Sequence, residues 1–221
     1  MGVVERRTRE KEALRTKILE ATSRLMVEEG FESVSIRRIA EQIEYSPATI
    51  YLYFKDKADL IDAICQELFG QMVEVIGAAV AQETDPLKRL RLGIRAYIEF
   101  GISHPNHYLA VFGAPKRAGE TAPSDNNEAH RLGMEAFEIL RQAIRGCIAL
   151  GALPAGDVRT TSHAAWMCMH GITSLMITTY TGPYCEFPDL TAADCDHLLD
   201  AAVDLLVAGL RNCTLEPLPS A

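Results

Sequence analysis

Apolar residues recur at helical spacing along almost the whole chain, and this periodicity limits the fold more than any other feature. From Leu14 onward, apolar side chains return every three or four residues until Gly30, a residue that favours the end of a helix. Strands would require alternating β-branched residues bounded by turn signals, and such runs do not compete with the helical pattern. The spacing predicts an all-α protein with about nine helices.

Proline and capping residues divide this pattern into separate helices. In Ser46-Pro47, Asp85-Pro86 and His104-Pro105 a proline stands at the first helical position, where its missing N–H costs nothing. The helix that follows Ser46 is predicted to end near Phe54, and the helix that follows Asp157 is predicted to end near Thr179. Residues 113–124 are predicted to form a loop. Side chains that cap the remaining helices are expected at five positions: Ser35, Asp56, Asp125, Asp157 and Thr191.

Composition narrows the class of protein. The chain has 221 residues, of which 48% are hydrophobic, so it can bury a substantial core. We expect no membrane partner, because uninterrupted apolar segments of spanning length are missing and the start of the chain is charged. The six cysteines form no CxxC pair, which favours reduced thiols in the cytoplasm and argues against a metal site or a disulfide framework.

Charge is distributed unevenly. Residues 1–60 hold eleven basic and eleven acidic side chains, whereas residues 61–221 hold eleven and nineteen, so the net charge of −8 belongs to the second part. The first seventeen residues are locally basic, with six Lys and Arg against three Glu. An acidic protein binds DNA when its positive charge is local, so these numbers are compatible with a DNA-binding N-terminus.

Residues 35–57 have the pattern of a helix, a short turn and a second helix. Five apolar residues form the core of this segment, and the predicted third helix exposes hydroxyl and methyl groups that suit the edges of bases in the major groove. Arg37 and Arg38 are placed to contact phosphates or guanine, and Lys57 to contact a phosphate. The core residues are Ile39, Ala40, Ile43, Ile50 and Phe54, and the outward residues are Ser46, Ala48, Thr49, Tyr51 and Tyr53.

The stretch SPATIYLYFKDKADL, residues 46–60, resembles the TetR family of bacterial regulators, and the resemblance extends over about residues 10–65. It implies phosphate contacts from Ser35, Thr49, Tyr53 and Lys57, and base contacts from Arg37, Ser46, Ala48 and Tyr51. The family has glycine where Glu44 stands. If this turn requires a positive φ, glutamate costs about 1 kcal/mol there.

The second part of the chain predicts a dimer. Residues 160–185 contain no charged side chain, and a helix without charge on any side is expected to be buried on all sides. The final helix is apolar on two faces, one for the interior and one for a second subunit. A homodimer through the last two helices places two recognition helices roughly 34–36 Å apart and predicts a palindromic operator in double-stranded DNA.

Trp166, His170 and Gly171 resemble a C-terminal class of this family marked by Trp, His and Gly at these spacings. The resemblance implies an interior cavity for a small, largely apolar effector, oriented by a few polar groups. Aromatic and methionine side chains at helical spacing are also compatible with plain core packing. The candidate effector-binding residues are Tyr97, Phe100, Tyr108, Phe112, Met134, Phe137, Trp166, Met167, His170 and Ser174.

Together these patterns predict a ligand-responsive transcriptional regulator, most simply a repressor that its effector releases from DNA, in the bacterial cytoplasm at the nucleoid. Its domains are a helix-turn-helix domain at 1–56 with a basic arm at 1–12, an effector-binding and dimerisation domain at 57–212, and a tail at 213–221. A helical small-molecule-binding protein without DNA binding is the alternative. Catalytic motifs are missing, so we expect no enzyme, no cofactor and no metal.

Overall fold

The computed structural model describes residues 3–113, 127–181, 187 and 189–217, and these residues form nine α-helices, as the periodicity predicts. The helices are α1 (Val3–Glu29), α2 (Ile36–Ile43), α3 (Pro47–Tyr51), α4 (Lys57–Val80), α5 (Pro86–Ser103), α6 (Pro105–Gly113), α7 (Glu128–Ala149), α8 (Val158–Leu175) and α9 (Ala192–Asn212). A short 3-10 turn, Phe31–Ser33, follows α1.

Six of the predicted caps are confirmed, those at Ser35, Ser46, Asp56, Asp85, Asp157 and Thr191. The Ser46 hydroxyl accepts the Thr49 backbone N–H at 3.2 Å, and the Asp85 carboxylate accepts the Lys88 backbone N–H at 2.8 Å. At the start of α9, Thr191 and the residue three positions later satisfy one another's backbone N–H groups in a capping box. Each of these contacts joins residues three positions apart, so the caps can be predicted from the sequence.

Two helix ends differ from the prediction. Helix α3 ends at Tyr51 rather than near Phe54. Before α7, the side-chain amide oxygen of Asn127 accepts the His130 backbone N–H at 2.9 Å. The predicted cap, Asp125, and nearly all of the predicted loop lie outside the described residues. The helix that was predicted to run to Thr179 ends as α8 at Leu175 and continues as a π-type turn, Met176–Tyr180.

The chain forms two compact units, and the first comprises residues 1–69 and 105–131. Helices α1, α2 and α3 and the start of α4 bury an apolar cluster, against which α6 contributes Ala110. The unit therefore includes more than the 1–56 segment predicted as the DNA-binding domain. The functional boundary after residue 56 stays a prediction, since compactness and function need not divide a chain at the same residue. The fully buried large side chains of this cluster are Ile18, Leu19, Leu25, Ile39, Ile50, Leu60 and Ile64.

The second unit comprises residues 70–104 and 132–221. Helix α5 packs against both α8 and α9, and α8 packs against α9. Arg91 and Arg95, one turn apart on α5, pair with carboxylates one turn apart on α9. The Arg95 guanidinium lies 2.5 Å from both Asp196 and Asp200, and the Arg91 guanidinium lies 2.8 Å from Asp200. This ladder of ion pairs joins α5 to α9.

The chain after α9 folds back onto the second unit. The Asp157 backbone N–H donates to the Leu215 carbonyl at 2.9 Å. A Cβ at Gly156 would lie 3.2 Å from the same carbonyl oxygen, so the absence of a side chain at 156 allows this close approach. The first residues of the predicted tail are therefore part of the packed unit.

Helix α4 is, by length and composition, apolar enough to cross a membrane, and it alone passes that test among the residues that the structure describes. Its apolar side chains at intervals of four residues are nonetheless buried within the two units, which is the pattern of a core helix. These side chains are Leu60, Ile64, Leu68, Met72, Ile76 and Val80.

Candidate nucleic-acid interface and effector site

The turn between α2 and α3 has the left-handed geometry in which glycine is favoured. Glu44 has φ 62° and ψ 42°, and among the described residues other than glycine it alone has a positive φ. The Tyr45 N–H donates to the Ala40 carbonyl at 2.9 Å, and the Glu44 N–H donates to the Glu41 carbonyl at 3.3 Å. These two bonds are those of a Schellman helix end. The condition attached to Glu44, a positive φ, is therefore met.

Helix α3 presents one buried and one exposed side. Ile50 is buried in the core of the first unit, while Ser46 and Ala48 are exposed and Tyr51 is 58% exposed. Thr49 is partly buried, and its hydroxyl lies 2.9 Å from the Ser46 hydroxyl. Four of the five residues predicted to face outward thus have side chains on or near the open surface.

Tyr53 is the fifth residue, and it is partly buried against the apolar core of the first unit. Its position follows from the early end of α3, because the chain after Tyr51 turns back toward α4. Its ring is a packing element here, and the predicted phosphate contact of its hydroxyl stays a prediction.

The two arginines of α2 have different environments. Arg37 is exposed and pairs with Glu41 one turn later on the same helix, at 3.1 Å. Arg38 instead makes a two-nitrogen contact with Glu29 at the end of α1, the closest atoms being 2.5 Å apart. The hydrogen bond raises the pKa of Arg38 and lowers the pKa of Glu29. Arg38 therefore joins α1 to α2, and Arg37 is the better placed of the two to contact DNA.

Two further residues predicted to contact phosphate also have contacts within the protein. The Ser35 hydroxyl caps α2 by accepting the Arg38 backbone N–H at 3.2 Å. The Lys57 ammonium donates to the Phe31 carbonyl and lies 4.2 Å from the centre of the Phe31 ring. Lys57 thus holds the start of α4 against the turn after α1, a role that the sequence reasoning did not include.

Sequence reasoning missed two exposed apolar residues beside this face. Leu52 is 79% exposed and Tyr45 is 44% exposed. The Lys17 ammonium donates to the Ile43 carbonyl at 3.2 Å and lies 5.4 Å from the centre of the Tyr45 ring, which holds the ring in place. Leu52 follows Ala48 by four residues, and that helical spacing was the available signal.

The candidate effector-binding residues are divided between the two units. In the first unit, Tyr108 is fully buried and its ring centre lies 4.7 Å from that of Phe112. In the second unit, the Trp166 ring lies 6.3 Å from Phe137, edge to face, and 5.8 Å from His170, nearly parallel. The structure thus brings together Phe137, Trp166 and His170 as one aromatic cluster.

The remaining candidates in the second unit vary in exposure. Tyr97 and Phe100 are buried, and Ser174 is partly buried. Met134 and Met167 are 48% and 62% exposed in the single chain. Exposed methionines suit a protein–protein surface better than the wall of an enclosed ligand site.

The neutral form of the His170 side chain is favoured more strongly than it is in a free histidine. Burial lowers its pKa below the ordinary value, because a low-polarity environment disfavours the imidazolium. The ring is stacked on Trp166 on α8, one helical turn away. A neutral imidazole can donate or accept a hydrogen bond, which is the type of orienting group that a largely apolar site needs.

The part of α8 after Arg159 carries no charged side chain, yet it is not buried on all sides within one chain, contrary to the simplest expectation. Met167 and Leu175 on α8 are more than half exposed, and on α9 Leu198 is 40% and Leu205 75% exposed. These four apolar side chains lie on the two helices that were predicted to form the dimer interface.

The second unit also has a shallow apolar cleft of about 240 Å³ between α5, the π-type turn and the start of α9. The candidate effector-binding residues do not line it. Its apolar walls are Ile102, Met176, Ala192, Cys195 and Leu199.

The described residues do not bring three metal-binding side chains together. Burial raises the pKa of the Cys65 and Cys147 thiols to about 11, so both are protonated near neutral pH. Cys168 and Cys213 are exposed.

Two family models match this architecture. Residues 18–64 match the model of the bacterial regulatory proteins of the tetR family, and residues 90–206 match the model of the tetracyclin repressor-like C-terminal domain. The second match alone covers more than half of the chain. The chain belongs to the TetR family. The narrower class marked by Trp, His and Gly stays a prediction.

This TetR-family chain is similar to two curated regulators. It is 29% identical to the fatty acid metabolism regulator protein of Bacillus subtilis over 94 residues, which are 42% of this chain and 47% of that protein. It is 28% identical to the transcriptional regulator AcrR of Shigella flexneri over 162 residues, 72% of this chain and 74% of that protein. The match to the Bacillus protein thus spans about half of its length.

A solved structure of the same fold is that of the transcriptional regulator FadR from Bacillus subtilis in complex with stearoyl-CoA. Its TM-score to this chain is 0.68 at 20% identity, and the match covers 88% of this chain and 98% of that one. This likeness establishes the TetR-family fold for the chain.

Proposed function

We propose that this protein is a DNA-binding transcriptional regulator that binds a palindromic operator as a homodimer and is released by an apolar effector. One observation carries the DNA-binding part: α2, its left-handed turn and the Ser46-capped α3 form a helix-turn-helix that leaves Ala48 and Tyr51 exposed. Such a helix fits the major groove, and its hydroxyl and methyl groups suit base edges.

Phosphate contacts come from the periphery of this helix. Arg37 is the exposed arginine of α2, and its pairing with Glu41 on the surface is weak enough for a phosphate to replace. Lys57 and Ser35 have internal partners, so we propose that they contact phosphate through their remaining donor capacity. The basic arm before residue 12 adds exposed positive charge along α1.

Selection from random DNA duplexes with the full chain tests this function. We expect enrichment of a palindromic sequence. Tyr51→Ala should weaken binding to that sequence by about 1–3 kcal/mol and change binding to random duplexes much less. Leu150→Ala, which removes a leucine that is 73% exposed in the other unit, is the matched control.

The outcome separates the two candidate functions. Equal losses on selected and random DNA would refute base contact by Tyr51. A chain that enriches no sequence, but still binds a small molecule, would instead be the helical binding protein without DNA recognition.

Homodimerisation through α8 and α9 is supported by the exposed apolar side chains on those two helices. Leu205, which is 75% exposed, would be buried by a second subunit, whereas Leu150 is an exposed leucine outside these helices. We expect light scattering to give a dimer for the wild type and for Leu150→Glu, and a monomer for Leu205→Glu. Dimeric Leu205→Glu would contradict this interface.

The effector is proposed to be a small, largely apolar molecule that contacts the Phe137, Trp166 and His170 cluster. The similarity to a regulator solved with stearoyl-CoA makes that molecule the first probe, since its acyl chain is an apolar group of the proposed kind. Trp166 is the only tryptophan in the chain, so its fluorescence reports on this cluster directly. We expect saturable quenching by stearoyl-CoA, weakened in Phe137→Ala. Identical quenching in the wild type and in Phe137→Ala would show that the effector does not contact Phe137 and would contradict the proposed site.

The effector and DNA are proposed to be coupled through α4, which supplies residues to both compact units. An effector that prefers one position of α4 would change the separation of the two α3 helices in the dimer. Coupling of this kind is typically about 1–3 kcal/mol and is reciprocal. We propose repression as the direction, in a bacterial cytoplasm at the nucleoid and without catalysis. Unchanged operator affinity at saturating effector would refute the coupling.

A further inference from the structure

Leu52 is the most exposed large apolar side chain in the described part of the chain, at 79%. It stands at the end of α3 with a helical backbone conformation, φ −72° and ψ −17°. Single exposed leucines are common and need no explanation. Leu52 differs because Tyr45 and Tyr51, also exposed and apolar in part, lie within the same eight residues.

The direction of Leu52 follows from helix geometry. Successive side chains turn by about 100°, so Leu52 and Ala48 project from the side of α3 opposite Ile50. Ile50 is fully buried in the core of the first unit. Ala48 and Leu52 therefore form the outermost apolar strip of α3, the part that approaches a docked surface first.

We propose that Leu52 is a specificity-determining residue that contacts the 5-methyl group of a thymine in the major groove. This inference rests on the proposed DNA-binding function and adds a residue and a base preference to it. The thymine methyl is the apolar group that the major groove presents, and apolar side chains recognise it by contact. Contact with that methyl removes both apolar groups from water.

The surroundings of Leu52 favour DNA over an apolar protein partner. Residues 45–54 contain no charged side chain, so the strip carries no carboxylate that would repel phosphates. Lys17 lies over the Tyr45 ring at one end, and Lys55 is exposed at the other. Exposed Glu44 and Asp56 adjoin the same ends, so it is the uncharged stretch 45–54 itself that suits a groove between two phosphate backbones.

The backbone that carries this strip has fixed contacts at its start. The Ser46 cap sets the start of α3, and the Lys17 contacts hold Tyr45. A backbone that is already ordered loses less conformational entropy on binding, so more of the contact energy is available for discrimination between bases.

The test uses the full chain and the duplex selected by the wild-type protein, with deoxyuridine replacing thymidine at one symmetric pair of positions at a time. Deoxyuridine pairs like thymidine but has no 5-methyl group. At the thymine that Leu52 contacts, we expect the wild type to lose about fourfold in affinity per half-site, the equivalent of one buried methyl-sized group.

Leu52→Ala should bind the thymidine duplex about fourfold more weakly per half-site and should no longer distinguish thymidine from deoxyuridine at that pair. Leu52→Met, which keeps an apolar side chain, should retain the discrimination. Leu150→Ala, the exposed leucine in the second unit, should behave as the wild type.

Three outcomes would overturn the inference. If Leu52→Ala keeps the full deoxyuridine penalty at each position, Leu52 contacts no thymine methyl. If Leu52→Ala binds the thymidine duplex as tightly as the wild type, the strip contacts something other than DNA. If the wild type selects no sequence at all, the proposed DNA-binding function fails and Leu52 has no base to contact, a result distinct from the first two.

Discussion

Replacing Glu44 by glycine should stabilise the protein, although it removes a side chain and makes no new contact. Glu44 has a left-handed conformation with φ 62° at the end of α2. In that region the Cβ of an L-residue approaches the carbonyl oxygen, at a cost of about 1–2 kcal/mol. Glycine has no Cβ and occupies the same region without this cost.

The net gain in the free energy of unfolding is smaller than the strain that glycine relieves. Glycine also increases the conformational freedom of the unfolded chain, which offsets about 0.4–1 kcal/mol. The difference predicts that Glu44→Gly raises the free energy of unfolding by about 0.5–1 kcal/mol. The backbone bonds from the Glu44 and Tyr45 N–H groups should be kept, since glycine donates equally well.

Urea unfolding followed by circular dichroism measures this change as a higher midpoint at an unchanged slope. Glu44→Ala is the matched control, because alanine removes the carboxylate but keeps the Cβ. We expect alanine to leave the midpoint nearly where it is in the wild type. If alanine stabilises as much as glycine, the effect belongs to the charge of Glu44 and the argument from backbone strain is refuted.

Two further predictions concern the second unit. Gly156→Val should destabilise this unit by about 1–3 kcal/mol, since the Cβ alone would lie 3.2 Å from the Leu215 carbonyl oxygen. Carboxypeptidase should then cleave the C-terminal residues faster than in the wild type. An unchanged cleavage rate would contradict the packing of Leu215 against Gly156. Asp200 has a lowered pKa because Arg91 and Arg95 bond its carboxylate, so its stabilisation is present above the ordinary aspartate pKa and is lost as the pH falls through the lower folded value. Urea midpoints of wild type and Asp200→Asn should differ at pH 7 and converge as the pH falls below the lowered folded pKa of Asp200. A difference that does not change with pH would contradict the role of this ion pair.

Local signals predicted much of the helix-turn-helix. Ser46 and Pro47 are sufficient to start α3, because the cap and the fixed φ act within one turn. The positive φ at Glu44 could be stated only as a condition, since a turn of this length allows more than one conformation. The end of α3 was missed because the chain leaves the helix to pack Tyr53 and Phe54 against the core, a contact with residues far away in sequence.

Side-chain contacts between different helices were harder to predict from the sequence. Arg37 and Arg38 are neighbours with the same charge, and the helix-turn-helix pattern predicted contact with phosphate or guanine for both. Only the packing of α1 against α2 brings Glu29 to within 2.5 Å of Arg38. Lys57 likewise lies beside Phe31 because α4 returns to the turn after α1.

The sequence by itself determined the all-α class, most helix starts and the family, because periodicity, caps and motif residues act through near neighbours along the chain. Tertiary structure decided which of the predicted side chains remain available. In the folded chain Arg38 pairs with Glu29, and Leu52 remains exposed. The candidate effector-binding residues are divided between two compact units. These outcomes depend on how helices distant in sequence pack together, and burial and pairing are properties of that packing rather than of any short segment.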